Sequence, residues 1–253
     1  MNLNILINKL TGFINRKLTA TVYPSGIYDP DIPGILEKHF DFYNHLPASQ
    51  KIEFTKKVYL LVNCKNFIGM KGFEINKFHK ILIAALATRL ILKLGLKYYD
   101  HIHRIYIFES EFDAVEFQQP VKGITDFSGS IGLSWQAVKE GIECGSDGNC
   151  VVIHEFAHAI DLYDGNFDGL PLMFKPGIMQ QFIERIFKEH EKICNHLENW
   201  LGIVQRYKIE DISEFFAVLT EIYFEKPELL KKNNKNLYDL MKKIYRYEPP
   251  SLT

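Results

Sequence analysis

The residues of this chain best suited to catalysis are two histidines and a glutamate in the segment His154-Glu155-Phe156-Ala157-His158. In a helix, residues four apart lie on the same face, roughly one turn from each other. His154 and His158 can therefore both bind one Zn²⁺ at about 2.0 to 2.1 Å, while Glu155 points toward a water molecule at the metal. The pattern predicts a zinc-dependent hydrolase in which Glu155 takes a proton from that water.

A metal site of this kind needs a third protein ligand, and the downstream segment 211–221 offers two glutamates. Glu214 lies in the first turn of a helix predicted to be capped by Ser213, and Glu221 lies two turns later on much the same face. The neighbouring side chains are apolar: Phe215, Phe216, Val218, Leu219, Ile222, Tyr223 and Phe224. A buried carboxylate among them needs a metal or a charged partner. The residues alone leave Glu214 and Glu221 open as alternatives.

Four segments of the chain occur in the order and at the distances typical of one protein family. They are Gly129-Ser-Ile-Gly-Leu-Ser-Trp135, residues 148–165 around the histidine motif, Asp168-Gly-Leu-Pro171, and residues 213–221. Together they resemble the Mlc titration factor A family of zinc peptidases, which is itself similar around its metal site to the catalytic domain of anthrax lethal factor. The resemblance extends from about Leu46 to Pro227. Membership of this family would imply a zincin-like metallopeptidase domain.

The resemblance implies roles for five residues. His154, His158 and Glu214 match the family's zinc ligands, and Glu155 matches its general base. Tyr207, seven residues before Glu214, matches a second catalytic group. A tyrosine in that role donates a hydrogen bond to the oxyanion. The implied enzyme is a zinc metallopeptidase of the gluzincin type, and aminopeptidase action is one of the activities open to it.

Two departures from the family pattern bear on this interpretation. Ile212-Ser213 stands where the family usually has Pro-Ala, a change that is tolerable because serine starts helices well. Residues 1–40 match poorly. We therefore predict an amino-terminal helix and loop segment at 1–40 and a zincin-like metallopeptidase domain at 41–253.

The resemblance leaves two functions open. The first is hydrolysis of a peptide or protein substrate. The second is sequestration of a transcriptional repressor of sugar uptake, with the zinc site mainly structural. A structural zinc site has no use for a general base, so the presence of Glu155 favours hydrolysis.

Composition bounds the remaining classes of protein. With 253 residues, of which 47% are hydrophobic, the chain can bury a large core. Its net charge of -1 lacks the basic excess of a nucleic-acid-binding protein. The apolar stretch 81–96 contains Arg89 and Lys93 and is too short for a bilayer, and residues 1–18 lack the charged start of a signal peptide. We therefore expect a cytoplasmic protein without a membrane span.

The hydrophobic patterns predict a mainly helical α+β domain with a small sheet beside the motif helix. Predicted helices lie at 34–43, 47–63, 76–95, 177–201, 212–225 and 227–245, and predicted strands at 104–109 and 130–135. A loop at 141–148 leads into the motif helix, which ends by the Asp164-Gly165 turn. We predict that Gly132 to Trp135 forms a free edge that binds an extended peptide beside the zinc.

Other residues of metal-ligand type receive more ordinary assignments. Asp161 and Asp164 follow His158, and either is predicted to orient a ligand imidazole, with a solvent-exposed helix end as the alternative. The four cysteines lack a C-x-x-C spacing, so thiols are expected, with a Cys144–Cys150 pair as the alternative in an exported protein. The remaining histidines singled out as ordinary core or surface residues are His101, His103, His190 and His196.

Overall fold

The computed structural model describes residues 29–114, 119–145, 147–171, 176–195 and 211–250. Tyr207 and His196, both named above, lie outside the described residues. Most of the predicted amino-terminal segment lies outside them as well, and its division from the rest of the chain at residue 40 stays a prediction.

The first part of the described chain is helical. It contains α1 (Asp31–His39), α2 (Asp41–Asn44), α3 (Ala48–Cys64) and α4 (Lys77–Ile91). The predicted helix at 34–43 is wrong at Phe40, whose extended backbone separates α1 from α2. Phe40 and Phe42 are both buried, and residues two apart do not share one face of a continuous helix. The chain therefore breaks the helix to bury both rings.

The described chain also contains a four-stranded sheet. Its strands are β1 (Asn66–Gly69), β2 (Arg104–Phe108), β3 (Gly123–Thr125) and β4 (Ser130–Ser134), in the order β1-β2-β4-β3. The first three in that order are parallel, and β3 runs antiparallel to β4. The strands predicted at 104–109 and 130–135 are present. Strands β1 and β3 are too short for their alternation of apolar and polar residues to be recognised in the sequence.

Strand β4 is central in this sheet. It pairs with β2 on one side and with β3 on the other, and all five of its residues are buried. The prediction that Gly132 to Trp135 forms a free edge is therefore wrong. Trp135 instead begins a helix, α5 (Trp135–Cys144), because the Ser134 hydroxyl accepts the Ala137 N–H at 3.3 Å and caps it.

The motif helix, α6 (Val151–Asp161), lies at the centre of the described part of the domain. It contacts β3 and β4 on its sheet side and also packs against α4 and α5. A 3₁₀ turn over Leu162–Asp164 follows, and Gly165 then takes a left-handed conformation with φ of 96°. The predicted end of this helix at the Asp164-Gly165 turn is therefore present.

The later described helices are α7 (Pro176–Asn195), α8 (Ile212–Glu225), α9 (Pro227–Asn233) and α10 (Lys235–Tyr245). The predicted helix at 227–245 is interrupted at Asn234, whose side chain accepts the Leu237 N–H at 3.1 Å and starts α10. Helix α8 packs along α6. The architecture is the predicted mainly helical α+β domain with a small sheet beside α6. Among the described helices, none has the length and apolar character that a bilayer crossing requires.

Candidate metal centre

Helix α6 presents both imidazoles of the histidine motif on one face. The Nε2 atoms of His154 and His158 lie 3.2 Å apart. The helix is held in place by buried apolar side chains on its other faces, among them Val152, Ile153 and Phe156. Because these side chains fix the rotation of α6, the two imidazoles point into the space between α6 and α8.

Helix α8 supplies a carboxylate to the same space. Glu214 lies in its first turn, with one oxygen 3.3 Å from His154 Nε2 and the other 3.2 Å from His158 Nε2. In a tetrahedral zinc site with bonds of about 2.0 to 2.1 Å, ligand atoms are separated by about 3.3 Å. The three side chains therefore have the spacing and the donor types that a metal ion needs.

Glu221 holds the far side of the His154 ring. Its Oε1 accepts from His154 Nδ1 at 2.8 Å, and its Oε2 accepts the backbone N–H of Cys150 at 2.6 Å. A carboxylate only accepts, so Nδ1 carries a proton, and Nε2 is the ring atom that faces Glu214 and the candidate metal position. Of the two glutamates that the residues alone left open, Glu214 lies at the candidate metal position and Glu221 orients an imidazole.

The His158 ring is held by a hydroxyl instead of a carboxylate. Its Nδ1 lies 3.1 Å from Ser213 Oγ, and that hydroxyl donates to Asp161 Oδ2 at 3.2 Å. Ser213 Oγ therefore accepts the Nδ1 proton of His158. Asp161 also accepts the Gly169 N–H at 2.7 Å, and burial raises the pKa of Asp161 to about 6. Its action on the imidazole thus passes through Ser213.

The prediction that Asp161 or Asp164 accepts directly from a ligand imidazole is therefore wrong. Asp161 acts on His158 only through Ser213. Asp164 instead accepts the backbone N–H of Asn166 at 2.9 Å. The predicted cap at Ser213 is also wrong, since Asp211 precedes α8 and accepts the Ser213 N–H at 2.6 Å. Because Asp211 caps α8, the Ser213 hydroxyl does not serve as the cap and is available to the His158 ring.

Glu155 lies beside the imidazoles, with 5% of its surface exposed. Thr125 of strand β3 donates its hydroxyl to Glu155 Oε2 at 2.8 Å and contacts the Glu155 carbonyl oxygen at 2.9 Å. Gly123 lies so close that a Cβ there would be 2.6 Å from Oε1. Burial raises the pKa of Glu155, while the charges of the two imidazoles oppose that rise. Gly123 and Thr125 carry no signal in the sequence, because a three-residue strand has no recognisable pattern.

The electrostatics of the cluster favour a cation. Burial by itself lowers the pKa of His154, but hydrogen bonds to Glu214 and Glu221 outweigh it and raise that pKa to about 10. Burial raises the pKa of Glu214, and its contacts with both imidazoles more than offset this and hold it well below its usual range. The carboxylates therefore stabilise a positive charge between the two imidazole rings. A bound metal ion would supply that charge in place of a proton.

Glu225, the third glutamate of α8 after Glu214 and Glu221, also binds the backbone just before α6. Glu225 accepts the backbone N–H of Gly148 at 2.9 Å and that of Asn149 at 3.1 Å. Burial raises its pKa to about 7, although the charge of Arg89 opposes the rise. The sequence interpretation above assigned no role to Glu225. Its position four residues after Glu221, on a mostly apolar helix, is the signal that could have identified it.

The other residues named from the sequence lie outside the cluster. His101, His103 and His190 belong to no group of three potential ligands among the described residues. Burial lowers the pKa of His101 to about 4. Cys144 is exposed and Cys150 is buried, and both are thiols, so the alternative pairing of these two residues is not formed.

Comparison with known proteins supplies an independent view of the chain. The sequence profile of the family described as "Glucose-regulated metallo-peptidase M90" matches residues 16–246. An uncharacterized protein of Synechocystis is 30% identical over 233 residues, covering 87% of this chain and 85% of that protein. Mlc titration factor A of Klebsiella pneumoniae is 25% identical, covering 81% and 82%. Mlc titration factor A of Escherichia coli is 26% identical, covering 73% and 74%.

Proposed function

Because the chain belongs to the glucose-regulated metallopeptidase family, we propose that it is a zinc-dependent peptidase with His154, His158 and Glu214 as ligands. The observation that carries the proposal is the convergence of two Nε2 atoms and a carboxylate, 3.2 to 3.3 Å from one another, beside a buried glutamate. Two imidazoles and one carboxylate are a donor set typical of catalytic zinc. A glutamate as the third ligand, on a helix downstream of the histidine motif, makes the proposed enzyme a gluzincin.

Glu155 is the proposed general base. When bound, the metal supplies the positive charge that lowers the pKa of a water molecule and polarises the substrate carbonyl. The Glu155 carboxylate takes the proton of the attacking water and delivers it to the nitrogen of the leaving amine. Thr125 fixes the position of the carboxylate through Oε2.

Strand β3 is the proposed peptide-binding edge. It pairs with β4 on one side and has no second strand partner among the described residues. Thr125 and Gly123 place it directly beside Glu155. An extended peptide added to this edge would gain main-chain hydrogen bonds and lie across the metal position. The substrate path predicted for Gly132 to Trp135 thus moves to the neighbouring strand.

The finer assignments stay proposals on the strength of the family resemblance. Tyr207 is the proposed donor to the oxyanion, and it lies outside the described residues. Aminopeptidase action is compatible with a peptide whose amino terminus ends near the metal. The cytoplasm remains the proposed compartment.

A second function is favoured by the names of two relatives. Both are called Mlc titration factor A, a name that describes titration of a partner. We propose, as the alternative, that this chain binds a transcriptional repressor and that its metal site is mainly structural. Glu155 argues against this alternative, because burying a carboxylate beside the site is costly and a structural site does not need it.

The test combines zinc content with hydrolysis of a peptide library by the purified chain. Glu155→Gln should keep zinc and folding while slowing hydrolysis by about 10²- to 10⁴-fold, since it removes the base alone. His154→Ala should lose both zinc and activity. Glu143→Gln, an exposed glutamate of α5, serves as the matched control and should hydrolyse like the parent.

Two outcomes would overturn the peptidase proposal. One is undiminished hydrolysis by Glu155→Gln. The other is a parent protein that holds zinc and a repressor but hydrolyses nothing, which would establish the alternative. A parent that binds no zinc after reconstitution would contradict both.

A further inference from the structure

A pair of aromatic rings lies at the rim of the candidate metal centre. Phe167, in the loop after α6, stacks on the His158 ring with centroids 4.8 Å apart and planes at 26°. Phe127, in the turn between β3 and β4, contacts Phe167 with centroids 5.4 Å apart. Phe127 is 74% exposed. The apolar surface therefore runs from a proposed ligand out to solvent.

The turn that carries Phe127 is held in one shape. Asp126 Oδ1 accepts the Ser128 N–H at 2.7 Å and the Ser128 hydroxyl at 2.6 Å. Gly129 has φ of 78° and lies so close to the chain that a Cβ would be 2.1 Å from the His101 carbonyl oxygen. The exposed ring is thus presented by a tight turn at the end of β3, the proposed peptide-binding edge.

The loop that carries Phe167 is also tied to the site. Gly169 donates its N–H to Asp161 Oδ2 at 2.7 Å, and its φ of 73° lies in the left-handed region that favours glycine. A Cβ on Gly169 would lie 2.3 Å from the Ile212 carbonyl oxygen at the start of α8. Both rings are therefore positioned by backbone that packs against the site, and an exposed phenylalanine so placed is suited to contact a ligand.

We propose that Phe127 and Phe167 form a subsite that selects peptides with a bulky apolar side chain next to the scissile bond. This proposal rests on the peptidase function proposed above. A substrate side chain laid on the two rings would remove apolar surface from water on both partners. A small or charged side chain would gain little there, so the subsite would discriminate by kcat/KM.

The test uses the zinc-loaded full chain and a peptide series that varies only beside the scissile bond, with Phe, Leu, Ala or Asp in either flanking position. The parent should prefer Phe and Leu in one of the two positions. Phe127→Ala should lower kcat/KM for those substrates by about tenfold, with little change for the Ala substrate and with zinc content unchanged. Phe127→Leu should retain most of the preference.

Phe78→Ala is the matched control. Phe78 is 37% exposed, and its ring contacts are His39 and His79 instead of the site. It should leave the whole series unchanged. If the parent hydrolyses all four substrate types equally, or Phe127→Ala slows all of them by the same factor, the subsite proposal is overturned while the peptidase function stands. A parent that hydrolyses none of the series and no library peptide refutes the underlying function instead.

Discussion

The two imidazoles of the candidate metal centre come from one helix but are held by different chemistry. His154 donates to the Glu221 carboxylate, whereas His158 donates to the Ser213 hydroxyl. Glu221 also accepts the Cys150 N–H at the start of α6. The Ser213 hydroxyl donates a hydrogen bond to Asp161, which also accepts the Gly169 N–H. One imidazole is thus tied to the start of its helix, and the other to the loop that bears Phe167.

The His154 ring is held more strongly than the His158 ring. A hydrogen bond to an ionised group is roughly twice as strong as one between neutral groups. The carboxylate also increases the electron donation of the imidazole to a metal. We therefore expect substitutions on the His154 side to cost more metal affinity than substitutions on the His158 side, although the two Nε2 atoms occupy equivalent positions.

The largest effect is expected from Glu221→Ala. It leaves the buried N–H of Cys150 and the partly buried N–H of His154 without an acceptor, and each such loss costs about 1 to 3 kcal/mol. We expect lower unfolding stability and a loss of zinc affinity near the upper end of the roughly 10- to 100-fold range for groups that hold a ligand imidazole. Thermal unfolding and chelator competition measure the two quantities.

Glu221→Gln is the control for this change. The amide oxygen can still accept one of the two hydrogen bonds, so about half of the lost stability should return. Unaltered zinc affinity in Glu221→Ala would contradict the assigned role and remove the contrast between the two sides.

A smaller effect is expected from Ser213→Ala. It removes a neutral acceptor from His158 while Asp211 still caps α8. Zinc affinity should fall by about tenfold, the lower end of the same range. Thr220→Val removes another buried hydroxyl from α8, one that donates to the Phe216 carbonyl oxygen and contacts Tyr245, and it should leave zinc affinity unchanged. Equal losses of zinc affinity from Ser213→Ala and Glu221→Ala would show that the hydroxyl and the carboxylate orient their imidazoles equally well.

The smallest effect on the metal site is expected at Glu225, one turn beyond Glu221. Its folded pKa of about 7 exceeds the ordinary value of 4.5 because of burial. The folded chain therefore keeps a proton that the unfolded chain releases, and stability falls as pH rises from about 4.5 to 7. The decline is on the order of 3 kcal/mol over that window, at 1.36 kcal/mol per pKa unit.

Glu225→Gln tests this pH dependence. The variant keeps an acceptor for Gly148 but cannot ionise, so its stability should decline less over the same pH range. Denaturant unfolding at pH 5 and pH 7.5 compares it with the parent, and zinc affinity should hardly change. Parallel stability curves for the two proteins would refute the role of the buried charge.

The sequence alone predicted the features that depend on a single helix or strand. The spacing of His154 and His158 predicts a shared helix face, and α6 has that face. The strands at 104–109 and 130–135 and the helical character of most of the chain followed from apolar periodicity. The helix breaks at Phe40 and Asn234 were missed, because they depend on burial of neighbouring rings and on a local cap that periodicity does not report. Strand β3 was missed because three residues show no period.

Residue types and their spacing identify the groups able to do the chemistry and the family to which the chain belongs. The roles of the individual groups follow from the packing of the helices and the order of the strands. Glu214 and Glu221 lie seven residues apart on one face, so their spacing alone cannot separate a metal-facing carboxylate from one that orients His154. The packing of α8 along α6 separates them. Among the described strands, the order of the sheet likewise makes β3, and not β4, the edge strand beside Glu155, because strand neighbours are set by long-range pairing that local sequence does not encode.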